Sequence, residues 1–140
     1  MHLRRGYALD NSIVILVVED DPMIQSIVLE ALEEGGFEAV IASSGEEAVD
    51  LLTDGDRFRG LVTDVNLGRD RMPAWEIGRR VREIDPAFPV VYMTGDSAAE
   101  WAARGVPNSI LLTKPFAPSQ VVAAVTQLLN TPNAGASPNT

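Results

Sequence analysis

Five short apolar runs alternate with five amphipathic stretches between residues 13 and 130, and few folds accept that alternation. Ile13 to Val18 is continuous and almost wholly β-branched, as suits a strand buried on both faces. From Pro22, the apolar set Ile24, Ile27, Val28, Ala31 and Leu32 recurs at spacings of three and four, one face of a helix that Gly35-Gly36 ends. Ala39-Val40-Ile41 reads as a second strand. Ser44, with Glu47 three residues on, forms a capping box that starts a helix through Ala48, Leu51 and Leu52. Leu61-Val62-Thr63 is a third strand, ending at Asp64. Trp75, Ile77, Val81 and Ile84 mark a third helix, which Asp85-Pro86 stops. Val90 to Met93 is a fourth strand, Ser97 to Arg104 a weaker helix, and Ile110-Leu111-Leu112 a fifth strand. Val121, Ala124, Val125, Leu128 and Leu129 give the last helix its apolar stripe.

Strands that alternate with helices in this way form a parallel sheet covered on both faces, an α/β doubly wound domain. The domain expected is 13–130, with residues 1–12 as an N-terminal arm and 131–140 as a disordered C-terminal tail. In such a sheet the ligand crevice lies beyond the carboxyl ends of the strands. Those ends are where function is to be sought.

Composition removes several classes of chemistry first. The 140 residues contain no cysteine, so thiol nucleophiles, disulfides and thiolate metal sites are excluded. The single histidine, His2, lies in the arm, which removes histidine-based catalysis. Twenty acids against eleven bases give a net charge of −9, the wrong sign for a nucleic-acid partner. No apolar run approaches the roughly 20 residues a membrane-spanning helix needs, and the residues after Arg4-Arg5 are too polar for a signal-peptide core. A cytoplasmic protein is expected.

The strand ends carry a coherent set of side chains. The first ends in Glu19-Asp20-Asp21, the third in Asp64, the fourth in Thr94-Gly95, and the fifth in Thr113-Lys114-Pro115. Lys114 is the only lysine of the chain; the other positive charges are ten arginines. Clustered carboxylates repel unless a cation neutralises them, and an all-oxygen set suits a hard ion such as Mg²⁺. Asp64 is placed to act as a nucleophile forming an aspartyl-phosphate. Thr94 offers a hydroxyl and Lys114 a cation to phosphoryl oxygens. Taken singly, Asp21 before Pro22 is a helix cap, Thr94 a turn hydroxyl and Lys114 a surface charge; their convergence on one crevice is what those readings leave unexplained.

The segments Ile15-Leu16-Val17-Val18-Glu19-Asp20-Asp21-Pro22, Asp64, Met93-Thr94-Gly95 and Lys114-Pro115-Phe116, in that order and spacing, resemble the receiver domain of bacterial two-component response regulators. The resemblance covers about residues 13–130 and points to the stand-alone, single-domain type. It implies the flavodoxin-like (βα)5 fold with strand order 2-1-3-4-5. It further implies that Asp64 accepts a phosphoryl group from a histidine kinase or a histidine phosphotransfer protein, in a Mg²⁺-dependent reaction. Glu19 and Asp20 would hold the Mg²⁺ together with Asp64 and the backbone carbonyl of Asn66, Asp20 directly and Glu19 through water. Thr94 would bond a phosphoryl oxygen and Lys114 pair with it, next to a cis bond to Pro115. A receiver of this kind promotes only its own phosphorylation and dephosphorylation. Its output would be contact with a downstream protein or onward phosphorelay, since about ten residues after Leu129 hold no output module. A receiver excised from a larger hybrid kinase would read the same.

Three positions depart from the family pattern. Leu111 stands where many receivers carry an aromatic residue that swings inward, so an aromatic switch is not expected there. The loop after Asp64 runs through Gly68-Arg69-Asp70-Arg71-Met72-Pro73-Ala74, longer than usual and with Ala74 where glycine is common. Ser97-Ala98-Ala99-Glu100-Trp101 has a modest apolar stripe, fitting a mobile helix that Trp101 anchors to the core. Other functions compete. An aspartate-nucleophile phosphatase needs a second acid in Asp-x-Asp, whereas Asp64-Val65-Asn66 has an amide there that cannot shuttle a proton. A flavin-binding module needs a Ser/Thr/Gly-rich phosphate loop after strand one, where Glu19-Asp20-Asp21 would repel a phosphate without a metal. A degenerate receiver, binding protein partners without being phosphorylated, is the remaining alternative.

Overall fold

A computed structural model of the chain describes residues 12–53, 57–68, 72–96 and 98–131. The expected arm and tail lie outside these residues except for Ser12 and Thr131, as do Arg69-Asp70-Arg71 and Ser97. The elements alternate without exception: β1 (Val14–Val18), α1 (Pro22–Glu34), β2 (Glu38–Ala42), α2 (Gly45–Leu52), β3 (Gly60–Asp64), α3 (Ala74–Ile84), β4 (Val90–Thr94), α4 (Ala98–Arg104), β5 (Ile110–Thr113) and α5 (Pro118–Asn130). All pairings are parallel and the strand order is β2-β1-β3-β4-β5. This is the doubly wound, flavodoxin-like fold with the expected order.

Alternation along each strand divides the core in two. Leu16, Val18, Leu61, Val90 and Tyr92 face α2 and α3, meeting Ala48, Leu52, Trp75, Ile77 and Val81. Ile15, Val17, Val62, Val91 and Met93 face α1 and α5, meeting Val28, Leu32, Val121 and Val125. Both faces of the central strands are therefore apolar, which is why β1, β3 and β4 read as unbroken apolar runs rather than alternating ones.

Local chemistry sets the helix starts. Asp21 accepts from the amide of Met23 at 2.9 Å with Pro22 in the first turn, so Asp21 is the cap of α1. Ser44 accepts from the amide of Glu47 at 3.1 Å, but Glu47 reaches back to the amide of Ser43 rather than to that of Ser44. The capping box is thus displaced by one residue on its return arm. None of the residues of α4 is buried. Its half-buried Trp101 packs against the core, and the indole donates to Ser109 Oγ at 2.9 Å.

Two glycines permit close approaches. A Cβ on Gly45 would press on Met72, whose amide donates to Glu46 Oε2 at 3.0 Å and ties the loop after β3 to α2. A Cβ on Gly78 would run into the hydroxyl of Tyr92, which accepts from the amide of Val106 at 3.3 Å. Leu111 pairs in register with Tyr92 and packs half-buried on the α2–α3 face.

Candidate functional site

The parallel register brings four chain-distant segments to one edge. Val18 pairs with Thr63, Asp64 with Met93, and Thr94 with Thr113, so β1, β3, β4 and β5 end side by side. Among the described residues, the buried polar or charged side chains are Glu19, Thr63, Asp64 and Thr94, all at this carboxyl edge. Burial of polar groups is costly unless they are paired or used. Their concentration at one edge marks it as the functional one.

Glu19 and Asp64 are 1% and 2% exposed, whereas Asp20 is open to solvent. Carboxylate oxygens of Glu19, Asp20 and Asp64 all lie within 4.8 Å of one another. Lys114 Nζ donates to Asp64 Oδ1 at 2.9 Å and stands 3.9 Å from Glu19 Oε1. Glu19 Oε2 accepts from the amide of Asp21 at 3.0 Å. Among the described residues, Glu19 Oε1 finds no hydrogen-bond partner although it is buried. A buried carboxylate oxygen left in this state invites a cation.

The electrostatics follow from burial. Burial pushes the Glu19 carboxyl up from its ordinary 4.5 to about 7, against the amide bond from Asp21 and with the repulsion of Asp64. Burial raises Asp64 as well, while the hydrogen bond and charge of Lys114 pull the other way. Burial alone would lower Lys114, but its bond to Asp64 and the charges of Asp64 and Glu19 outweigh that and raise it. One ammonium faces a cluster of three acids, so negative charge is in excess.

These residues fit a divalent cation. The donors are all carboxylate oxygens, two of them buried and one open to solvent, which suits a hard ion that keeps some of its waters. An all-oxygen cluster of this kind suits Mg²⁺. Asn66 lies on the exposed loop two residues beyond Asp64, and its backbone amide faces the Asp64 carboxylate. Thr94 is fully buried at the end of β4, its Oγ1 accepting from the amide of Asp96 at 3.3 Å. Its carbonyl accepts from the amide of Lys114 at 2.7 Å, and the Lys114–Pro115 peptide is cis.

Sequence reasoning missed Gln25, which reaches from α1 to the carbonyl of Glu19 at 2.6 Å. The only signal available was a polar residue one position after the apolar Ile24 in the first turns of α1.

Comparison with known proteins agrees with this geometry. Residues 15–126 match the response regulator receiver domain family. The response regulator MprA of Mycolicibacterium vanbaalenii is 30% identical over 126 residues, which are 87% of this chain and 53% of that one. The chain thus spans about half the length of the response regulators it matches in sequence. Among solved structures, a response regulator receiver protein from Sinorhizobium medicae WSM419 superposes with a TM-score of 0.82 at 39% identity, covering 86% of this chain and 96% of that one. The chemotaxis response regulator CheY4 of Vibrio cholerae superposes with a TM-score of 0.71 at 26% identity, covering 84% and 98%.

Proposed function

The chain belongs to the response regulator receiver domain family, and from that premise we propose that it is a phosphoacceptor switch whose acceptor is Asp64. The observation that supports this most is the buried Asp64 carboxylate, held at 2.9 Å by the one lysine and flanked by Glu19 and Asp20. A phosphohistidine on a histidine kinase or histidine phosphotransfer protein is the donor. An oxygen of Asp64 attacks the phosphorus, the bond from phosphorus to the imidazole nitrogen breaks, and a mixed anhydride remains on Asp64.

Glu19, Asp20, Asp64 and the backbone carbonyl of Asn66 would hold the Mg²⁺. When bound, Mg²⁺ supplies positive charge that offsets the phosphoryl oxygens. Lys114 exchanges its bond to Asp64 for one to a phosphoryl oxygen, and the Thr94 hydroxyl donates to another. Catalysis here asks for position and charge rather than for a proton shuttle, which accords with the absence of histidine from residues 3–140. The new phosphate adds about −1.5 to −2 charge at a buried edge, a local change able to bias the end of β4 and the helix after it.

The chain promotes only its own phosphorylation and dephosphorylation. The readout is contact with a downstream protein or onward relay of the phosphoryl group, in the cytoplasm. Among the described residues no helix is long and apolar enough to cross a membrane. The test is the intact mass after incubation with a small acyl phosphate, with and without Mg²⁺, beside Asp64→Asn. One added phosphoryl group, dependent on Mg²⁺ and lost in the variant, is expected. Equal labelling of the variant would overturn the assignment.

A further inference from the structure

Resting on the reading of Glu19, Asp20 and Asp64 as a Mg²⁺ site, we infer that Gln25 is a positioning residue that sets the cation affinity by holding the Glu19–Asp20 peptide. Glu19 is the last point at which β1 is tied to β2, its amide donating to the carbonyl of Ala42 at 3.0 Å. Its carbonyl has left the ladder. Gln25 Nε2 donates to that carbonyl at 2.6 Å and lies 3.3 Å from Ser43 Oγ, at the end of β2. One side chain from the first turns of α1 therefore joins the ends of β1 and β2.

The consequence comes from peptide planarity. The carbonyl of Glu19 and the amide of Asp20 belong to one rigid plane. Fixing the carbonyl fixes the direction in which the Asp20 backbone leaves β1, and with it where the Asp20 carboxylate projects. Asp20 is the exposed acid of the cluster, without the packing that immobilises Glu19 and Asp64. The Glu19 side chain has its own tether, the amide of Asp21 on Oε2, and that amide sits beside the α1 cap. Gln25 provides the corresponding restraint on Asp20. Its donor also turns the Glu19 carbonyl toward α1, so that this oxygen answers an amide rather than adding to the repulsion among three carboxylates.

The experiment is calorimetric titration of the full chain with MgCl₂, for wild type, Gln25→Leu and Gln25→Glu, with phosphorylation rates measured across Mg²⁺ concentrations. Gln25→Leu removes the donor, and Gln25→Glu keeps the shape while replacing the donor by an acceptor. Each is expected to weaken Mg²⁺ binding by about tenfold, the usual scale for a residue that orients a ligand. The half-saturating Mg²⁺ rises by the same factor, and the rate at saturating Mg²⁺ stays within about twofold of wild type, a split that a purely structural role would not produce. Dissociation constants unchanged in both variants would overturn the role of Gln25. A wild type that takes up no Mg²⁺ would instead overturn the reading of the acid cluster on which the role rests.

Discussion

The ammonium of Lys114 donates to Oδ1 of Asp64 across 2.9 Å, joining β5 to β3 over the end of the intervening β4. The pair leaves three clustered acids facing one ammonium. Burial raises the Glu19 carboxyl to about 7, so it takes up a proton more readily than an ordinary glutamate.

Lys114→Met should expose the cost of that arrangement. The Asp64 side chain is buried and that of Lys114 is 26% exposed, so loss of the ammonium strands a buried carboxylate next to Glu19. Because Lys114 is partly solvated, the expected loss of stability at pH 7 is about 1–2 kcal/mol rather than the full penalty of a buried pair. Urea denaturation measures it. The variant should still accept a phosphoryl group on Asp64, while the shifts of β4 and β5 resonances that follow phosphorylation in wild type disappear. A variant as stable as wild type and fully responsive would contradict a role for the ammonium.

Stability should depend on pH through Glu19 in the direction opposite to an ordinary paired carboxylate. Its folded value is raised from 4.5 to about 7, so between those values the folded state binds more protons than the unfolded state. Stability from this group is therefore present at low pH and lost as pH rises from about 4.5 to about 7, by at most ~3 kcal/mol. The raised Asp64 acts in the same direction, and the raised Lys114 matters only above about 10.5. Denaturation from pH 4.5 to 7.5 without Mg²⁺, compared with Glu19→Gln, isolates the effect. The variant should gain on wild type as pH rises, and a difference that is flat with pH would refute the account.

Mg²⁺ should reverse that loss. By binding the ionised acids of the folded state alone, it stabilises more at pH 8 than at pH 5. Thermal midpoints at fixed excess Mg²⁺ and after chelation measure the difference. Equal stabilisation at both pH values would count against Glu19 and Asp64 as ligands.

Gly78→Ala should destabilise by about 1–3 kcal/mol, because its methyl group meets the Tyr92 hydroxyl in a packed core. Adding Tyr92→Phe should recover part of the loss by making room. The recovery is incomplete, since the amide of Val106 then loses its acceptor at a cost of about 1 kcal/mol. A double variant less stable than Gly78→Ala alone would show that the contact is not what excludes a side chain at position 78.

Amides of α4 should exchange with solvent faster than those of α1 and α5. None of the α4 residues is buried, whereas α1 buries Val28, Ala31 and Leu32 and α5 buries Val121, Ala124 and Val125. Trp101→Phe removes the indole bond to Ser109 and should raise the α4 rates further. Protection of α4 equal to that of α1 would contradict a loosely held helix.

The fold was legible because its signal is periodic. Runs such as Ile15 to Val18, apolar on both faces, and the stripe of Val121, Ala124 and Val125 carry their structure in their spacing. The edge where Glu19, Asp20, Asp64, Thr94 and Lys114 meet was legible for a related reason: winding sends every strand end to the same side. The contacts that escaped reading are those between a side chain and a distant backbone group. Gln25 on the Glu19 carbonyl, Tyr92 on the Val106 amide and Glu47 on the Ser43 amide depend on how a loop turns, and no spacing rule encodes that. The crowding of Gly78 by Tyr92 is of the same kind, since position 78 alone suggests only a weak helix residue.

The most direct test of the central claim is to trap the acyl phosphate. Borohydride reduces an aspartyl-phosphate to homoserine, and peptide sequencing by mass spectrometry locates the converted residue. After incubation with a small acyl phosphate and Mg²⁺, homoserine is predicted at position 64 alone, and nowhere when Mg²⁺ is chelated. Homoserine at another aspartate, or phosphoryl label that survives at a residue borohydride does not reduce, would contradict Asp64 as the acceptor.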